Sequence, residues 1–267
     1  TNMSPDGPLP DGEVEDYVAT VMAFDFGDLN DLLANTSGNP ATPTVPADHR
    51  TLAADNGASH KLTTNTTTNE VILKIGNRVD DELDGQPSVD AGKTTGGDNN
   101  NSIPPGGVND EDGMDANNPP LFIITQTTTL TVPVMNMTGE AAKLTVYIDF
   151  NKNGDFSPDE MFVSGNIPSG PGTTPVPVSI LVPLTSVMGQ DIGLRMRLAD
   201  ADEPMSPYGL AQTGEVEDYV IQVVGFDYGD LPNTYGTEDP NGPKHIATDN
   251  LKLGTCVDVD LNGQPDP

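Results

Sequence analysis

The chain has 267 residues, 34% hydrophobic and 19% charged, with Gly 28 and Pro 25 by count; this is apolar-poor for one compact globule, and long connecting stretches are expected. Its 41 acidic and 11 basic residues give a net charge of −30, which excludes nucleic acid as a partner, because phosphate binding rests on Lys and Arg, and which self-repels unless cations neutralise it. Cys256 is the single cysteine, so an internal disulfide is excluded, and no run of 18 apolar residues offers direct membrane insertion.

In chain order, residues 1–21 read as the C-terminal end of an upstream unit, carrying the hexapeptide GEVEDY at Gly12–Tyr17. Residues 22–116 read as a loop-rich acidic spacer module. Pro, Thr, Asn and Ala dominate 34–56, and Gly, Asn and Pro dominate 94–107, with one β-branched strand between them at Val71–Ile75. Residues 117–224 read as a β-sandwich, with strands expected at 121–124, 127–132, 143–150, 161–163, 176–182, 192–198 and 219–224. Leu144, Val146, Ile148 and Phe150 alternate with Lys143, Thr145, Tyr147 and Asp149, the period-two pattern of a half-buried strand. In 192–198, Leu194, Met196 and Leu198 face one way and Arg195 and Arg197 the other. Residues 225–267 read as the start of a further spacer module. Pro and Gly interrupt every helical stripe.

Repetition organises the chain. GEVEDY returns at Gly214–Tyr219, and the tail Phe24-Asp25-Phe26-Gly27-Asp28-Leu29 returns as Phe226-Asp227-Tyr228-Gly229-Asp230-Leu231. Lys74-Ile75-Gly76, Val79-Asp80 and Asp84-Gly85-Gln86-Pro87 return as Lys252-Leu253-Gly254, Val257-Asp258 and Asn262-Gly263-Gln264-Pro265. Such repetition predicts a window on a tandem array that opens inside one unit and stops inside another. The expected fold class is all-β: a β-sandwich joined by loop-rich, calcium-binding inter-domain segments.

The acidic residues are the candidate ligands. Asp149, Asn151, Asn153, Gly154, Asp155 and Glu160 satisfy the calcium-loop pattern D-x-[DN]-x-[DN]-G-x5-E. Alternate oxygens can wrap a hard cation, and Glu160 can reach back with both oxygens. A strand enters this loop and Pro158 interrupts it, so a calcium-bound inter-strand loop fits better than an EF-hand; an Asx-type turn capped by its own side chains is the alternative. Asp80, Glu82 and Asp84 form a second cluster, and Asp110 and Asp112 a third, where adjacent carboxylates repel unless protonated or bridged by a divalent cation; a solvated acidic loop is the alternative. In the second hexapeptide, Glu215, Glu217 and Asp218 are expected either to form a ladder with Arg195 and Arg197 or, for the two glutamates, to ligate metal.

The hexapeptide, the Arg195-Met196-Arg197 strand and the segment Tyr147-Ile148-Asp149-Phe150-Asn151-Lys152-Asn153-Gly154-Asp155-Phe156 together resemble the GEVED domain of bacterial secreted proteins. Tyr147 stands where that family usually has Trp. The resemblance implies a β-rich element of a large tandem-repeat, adhesin-like surface protein, sometimes exported by the type IX route and linked to gliding motility; the same domain also accompanies secreted peptidases. No catalytic residue carries over. His49, His60 and His245 are the only histidines and form no metalloprotease spacing, and no serine lies in a nucleophile elbow. The expectation is therefore a non-enzymatic repeat segment of an extracellular or cell-surface adhesin, stalk or filament, stiffened by Ca2+. Its expected partners are neighbouring repeats, other filament subunits, or a surface glycan or protein ligand. The alternative is a carbohydrate- or protein-binding module attached to a secreted enzyme.

Overall fold

The computed structural model describes residues 15, 22–31, 48–93, 110–115, 117–248 and 251–265. The first hexapeptide copy (Glu15 apart) and the loop stretch 94–107 lie outside them. Among the described residues, thirteen strands follow in order: β1 (Phe24–Phe26), β2 (Ser59–Lys61), β3 (Leu73–Ile75), β4 (Phe122–Ile123), β5 (Thr127–Asn136), β6 (Ala142–Ile148), β7 (Met161–Val163), β8 (Thr173–Leu181), β9 (Asp191–Asp200), β10 (Leu210–Ala211), β11 (Glu215–Val224), β12 (Phe226–Tyr228) and β13 (Lys244–Ile246). Helix among the described residues is limited to single 3-10 turns.

Two sheets form the expected sandwich, one ordered β4-β11-β9-β6-β7 and the other β3-β5-β8. Alternation selects the inward residues. Leu144, Val146 and Ile148 of β6, Leu194, Met196 and Leu198 of β9, and Val176, Val178 and Ile180 of β8 meet in one apolar core. The edge strand β8 carries Pro175 and Pro177 at outward positions, where missing N–H groups discourage pairing with another chain. Leu73 and Ile75, read from sequence as part of a spacer, join this core, because β3 pairs antiparallel with β5.

The five-stranded sheet is buried on both faces, which the half-buried pattern of β6 did not anticipate. Thr145 and Tyr147 point away from the sandwich core and are buried too. Their cover comes from the 22–93 region and the 149–160 loop, where Leu29, Ala91, Tyr147, Phe156 and Tyr208 make a second apolar cluster. A small sheet, β1-β2-β10, ties this layer to the sandwich, β2 pairing with β10 in parallel. The segment expected as a spacer is therefore a third layer packed on the sheet.

Residues 226–248 and 251–265 rebuild four hydrogen bonds of that layer in a second place. Phe26 N–H donates to Glu82 Oε2 (2.9 Å), and Tyr228 N–H to Asp260 Oδ2 (3.2 Å). The Gln86 side-chain amide donates to Glu82 Oε1, and that of Gln264 to Asp260 Oδ1. The Thr51 hydroxyl donates to Leu29 O, and that of Thr237 to Leu231 O. The Gly85 amide donates to Asp84 Oδ1, and that of Gly263 to Asn262 Oδ1. The hairpin β12–β13 repeats β1–β2, with Asp227 opposite His245 as Asp25 is opposite His60.

Candidate functional site

The site grows from the alternation of β11. Tyr219, Ile221 and Val223 face the sandwich core, so Glu217 and Glu215, two and four residues before Tyr219, face the same side. Their cross-strand partners are Leu198 and Met196, which are core residues. Two carboxylates are thus built into the apolar side of a sheet. They are held by backbone from the covering segments: the Ile75 amide donates to Glu215 Oε2, and the amides of Asp112 and Gly113 donate to Glu217 at 3.1–3.2 Å. The Tyr219 hydroxyl donates to Glu217 Oε2 at 2.8 Å. Gly113 is required for this approach, since a Cβ there would stand 2.3 Å from Glu217 Oε2 and 2.4 Å from Ile75 Cγ2.

The surroundings are acidic. β4 pairs only with Val223 and Val224, which leaves the first half of β11 as an edge, and a carboxylate fills it: Val216 N–H donates to Asp25 Oδ2 at 2.6 Å. Burial pushes Glu215 well above the usual carboxylate range, and the charges of Glu217, Asp25 and Asp110 push it further the same way. Glu217 is raised by burial and then by Asp112 and Asp110. Burial raises Glu82 to about 9, with Asp28 and Asp110 adding to it. Glu215 Oε1 is buried without a hydrogen-bond partner. Such an atom carries a desolvation cost that a proton or a cation would remove.

Of the residues singled out in the sequence, Glu82 and Asp110 belong to this seam, and Asp80 joins it through its amide, which donates to Asp110 Oδ2 at 3.1 Å. Asp112 lies beside Glu217 and accepts from the Asn77 amide at 2.9 Å. Asp84 stands apart and accepts from the Ala53 amide at 2.6 Å. Asp25 and Asp28 were not singled out as ligands; their signal was the repeated Phe-Asp-x-Gly-Asp tail.

The expected arginine ladder has one rung rather than several. Register places Asp218 opposite Arg195 but Val216 opposite Arg197, and Glu215 and Glu217 are on the other face. Arg195 and Asp218 pair at 2.8 Å (Nε–Oδ1) and 2.7 Å (Nη2–Oδ2), both fully buried. Asp218 Oδ2 also accepts from the amides of Asp28 (2.6 Å) and Leu29 (2.8 Å), clamping the covering layer to the sheet. Burial opposes the charge on Arg195, yet Asp218 outweighs it and the pKa rises. Arg197 has carbonyls for partners: Ser59, Ser206, Tyr208 and Gly209, with His60 Nε2 accepting from its Nε at 2.9 Å. Burial and the neighbouring Arg195 lower Arg197 to about 10.

In the 149–160 loop, the oxygens bind the loop's own amides. Asp149 accepts from Asn153 and Gly154, both at 2.9 Å, and lies 3.2 Å from His49 Nε2. Asn153 Oδ1 accepts from Asp155 N–H; Asp155 Oδ1 accepts from Phe156 N–H and the Tyr208 hydroxyl. Glu160 accepts from the amides of Asn151 and Ser157 and closes a capping box. Gly154 takes the positive φ of 79° that the turn requires. The asparagine at 151 enters through its backbone amide alone among these bonds.

Among the described residues, Asp227, Asp258 and Asp260 bring three carboxylate oxygens within 4.8 Å of one another. They occupy the places in the second module that Asp25, Asp80 and Glu82 hold in the first. Three oxygen donors so placed could coordinate a metal ion.

A GEVED domain is present at residues 143–222. It takes in β6 to β11 except the first residue of β6 and the last two of β11, and therefore includes the Arg195–Asp218 clamp and both inward glutamates. No curated protein and no solved structure matches the chain.

Proposed function

We propose that the chain is a structural segment of a secreted, cell-surface protein, an adhesin, stalk or filament, in which loop-rich modules and GEVED-type sandwiches alternate. The observation that carries this reading is the second module: residues 226–265 rebuild the hydrogen bonds of the first, on the far side of the sandwich in sequence. A module that packs on the sheet, and whose carboxylates cap β11, makes a stiff joint instead of a flexible linker. Adhesion, gliding motility, and contacts with filament subunits or a surface glycan belong to this reading as roles for such a rod. The segment acts by assembly and not by catalysis.

Calcium, or another hard divalent cation, is part of the proposal. Glu215 would hold it at the seam, beside Glu217, Asp25 and Asp110, and what supports this is the unpartnered Glu215 Oε1 inside a cluster of like charge. The cation would neutralise the seam and tie module to sandwich. A ligand that binds only the folded state stabilises it by about 2.7 kcal/mol at 100 times its dissociation constant. Thermal melting with calcium and with chelator tests the cation, and small-angle scattering in the same two conditions tests the rod. Calcium should raise the Tm, Glu215→Gln should remove most of that rise, and chelation should expand the particle. Identical melting and superposable scattering would overturn the cation role.

A further inference from the structure

The two modules share their internal hydrogen bonds but differ in what covers them. In the first, Leu73 and Ile75 pair along β5 and are 0% exposed, and Leu29 is 1% exposed beneath the five-stranded sheet. Their counterparts in the second are Leu251, Leu253 and Leu231, exposed by 85%, 97% and 61%. Leu251–Leu253 forms no strand, as expected of a β3 sequence without a β5 beside it. Three large apolar side chains facing water on one small module mark an interaction surface.

The polar groups tell the same story. His60 is buried and accepts from Arg197 of the sandwich; its counterpart His245 is exposed. Asp25 is buried and accepts from the Val216 amide; its counterpart Asp227 is half-buried and gathers with Asp258 and Asp260. Leu29, Leu73, Ile75 and His60 meet the sandwich in the first module, and their counterparts Leu231, Leu251, Leu253 and His245 are turned to solvent. The first module records what covers such a surface.

We propose that residues 225–265 are a docking surface for a further GEVED-type β-sandwich whose own module position is vacant. Its edge strand equivalent to β5 would pair along Leu251–Leu253. Its hexapeptide strand would place a backbone amide on Asp227, and its outward arginine would find His245. Its inward glutamate would approach the Asp227–Asp258–Asp260 oxygens, completing an acidic seam like the first. This inference rests on the alternation of modules and sandwiches put forward above, and adds the residues that join one unit to the next. The sandwich in the chain itself already carries its module, so docking of the chain onto a second copy of itself is not the expected occupant.

The test extends the full chain. After Pro267 comes a second copy of residues 90–224, which continues the register because Gln264-Pro265 repeats Gln86-Pro87. A control chain has the same extension with residues 24–87 in place of 226–265, so that the added sandwich receives the first module. Hydrogen exchange should slow by at least ~100-fold at the amides of 251–254 in the extended chain relative to the unextended one, the protection of a paired strand. Leu253→Asp should abolish that protection in the extended chain and leave the melting of the unextended chain unchanged. Equal exchange at 251–254 in both chains, or an added sandwich that folds in the control but not on residues 226–265, would overturn the proposal. Calcium dependence is read separately: docking without a calcium response overturns the cation role alone, and a calcium response without docking overturns this surface alone.

Discussion

Asp218→Ala should be the most damaging single carboxylate change in the sandwich. One fully buried side chain accepts four hydrogen bonds: two from Arg195 at 2.7 and 2.8 Å and two from the amides of Asp28 and Leu29 at 2.6 and 2.8 Å. Removing one partner of a buried ion pair costs about 3–5 kcal/mol, because the other charge stays buried. Each orphaned amide adds about 1–3 kcal/mol, less whatever water recovers as the covering segment loosens. We expect a loss of about 4–6 kcal/mol, a large part of the ~5–15 kcal/mol that holds a typical domain. For a chain of this size it corresponds to about 8–24 °C in Tm. Urea unfolding followed by tyrosine circular dichroism would measure it, the chain having six Tyr and no Trp. The double change Arg195→Met with Asp218→Leu should recover part of the loss, since apolar replacement of a buried pair removes both charges together. A loss below about 1 kcal/mol for Asp218→Ala would refute the clamp.

Other expectations concern single groups. His60 is held well below its ordinary pKa by burial first and then by Arg197 and Arg195; its folded pKa is depressed, so the stability linked to it is complete above about pH 6.5 and is lost as pH falls below that, by up to about 1.4 kcal/mol per unit. The difference in stability between wild type and His60→Gln, measured from pH 8 to 5, should carry that slope, and a flat difference would refute it. Gly113→Ala should lower both stability and the calcium-dependent rise in Tm, because its Cβ would meet Glu217 and Ile75, whereas Gly165→Ala, with open space around it, should change neither.

The sandwich was legible because its strands are long enough to alternate. Leu144-Val146-Ile148 and Leu194-Met196-Leu198 name their face without ambiguity, and both face the core. The covering layer was not legible. Its strands at Phe24–Phe26 and Ser59–Lys61 are three residues each, too short for a period, and side-chain carboxylates make much of the backbone pairing that longer strands would make. Parity reduced the expected ladder of Glu215, Glu217 and Asp218 with Arg195 and Arg197 to its Asp218 rung. Counting back by twos from Val223, Ile221 and Tyr219 turns Glu217 and Glu215 inward, and leaves Asp218 as the acid facing Arg195. That count was available in the sequence; the pull of opposite charges on neighbouring strands obscured it. The inward glutamates become intelligible only once the covering segment is in place, since Ile75, Asp112 and Gly113 come from 100 or more residues away.

The 149–160 loop separates two meanings of one pattern. Its spacing is that of a calcium loop, and its hydrogen bonds are those of a turn that caps itself. The two meanings differ in what they ask of Asp149, which is fully buried, binds the amides of Asn153 and Gly154, and faces His49. Bonds to a charged acceptor contribute about 1.5–3 kcal/mol each, and burial leaves Asp149 little exchange with water. If self-capping holds the loop, Asp149→Ala should cost about 3 kcal/mol in chelator as well as in calcium, because what is lost is protein–protein bonding. If an ion holds it, the variant should match wild type in chelator and fall behind only when calcium is added. Melting both proteins in both conditions yields four temperatures, and the comparison needs no assumption about the seam, whose contribution is common to the pair. We expect the loss in both conditions, since every carboxylate of the loop already has an amide or hydroxyl donor in place. A chelator-silent Asp149→Ala would refute that expectation and assign the loop to calcium.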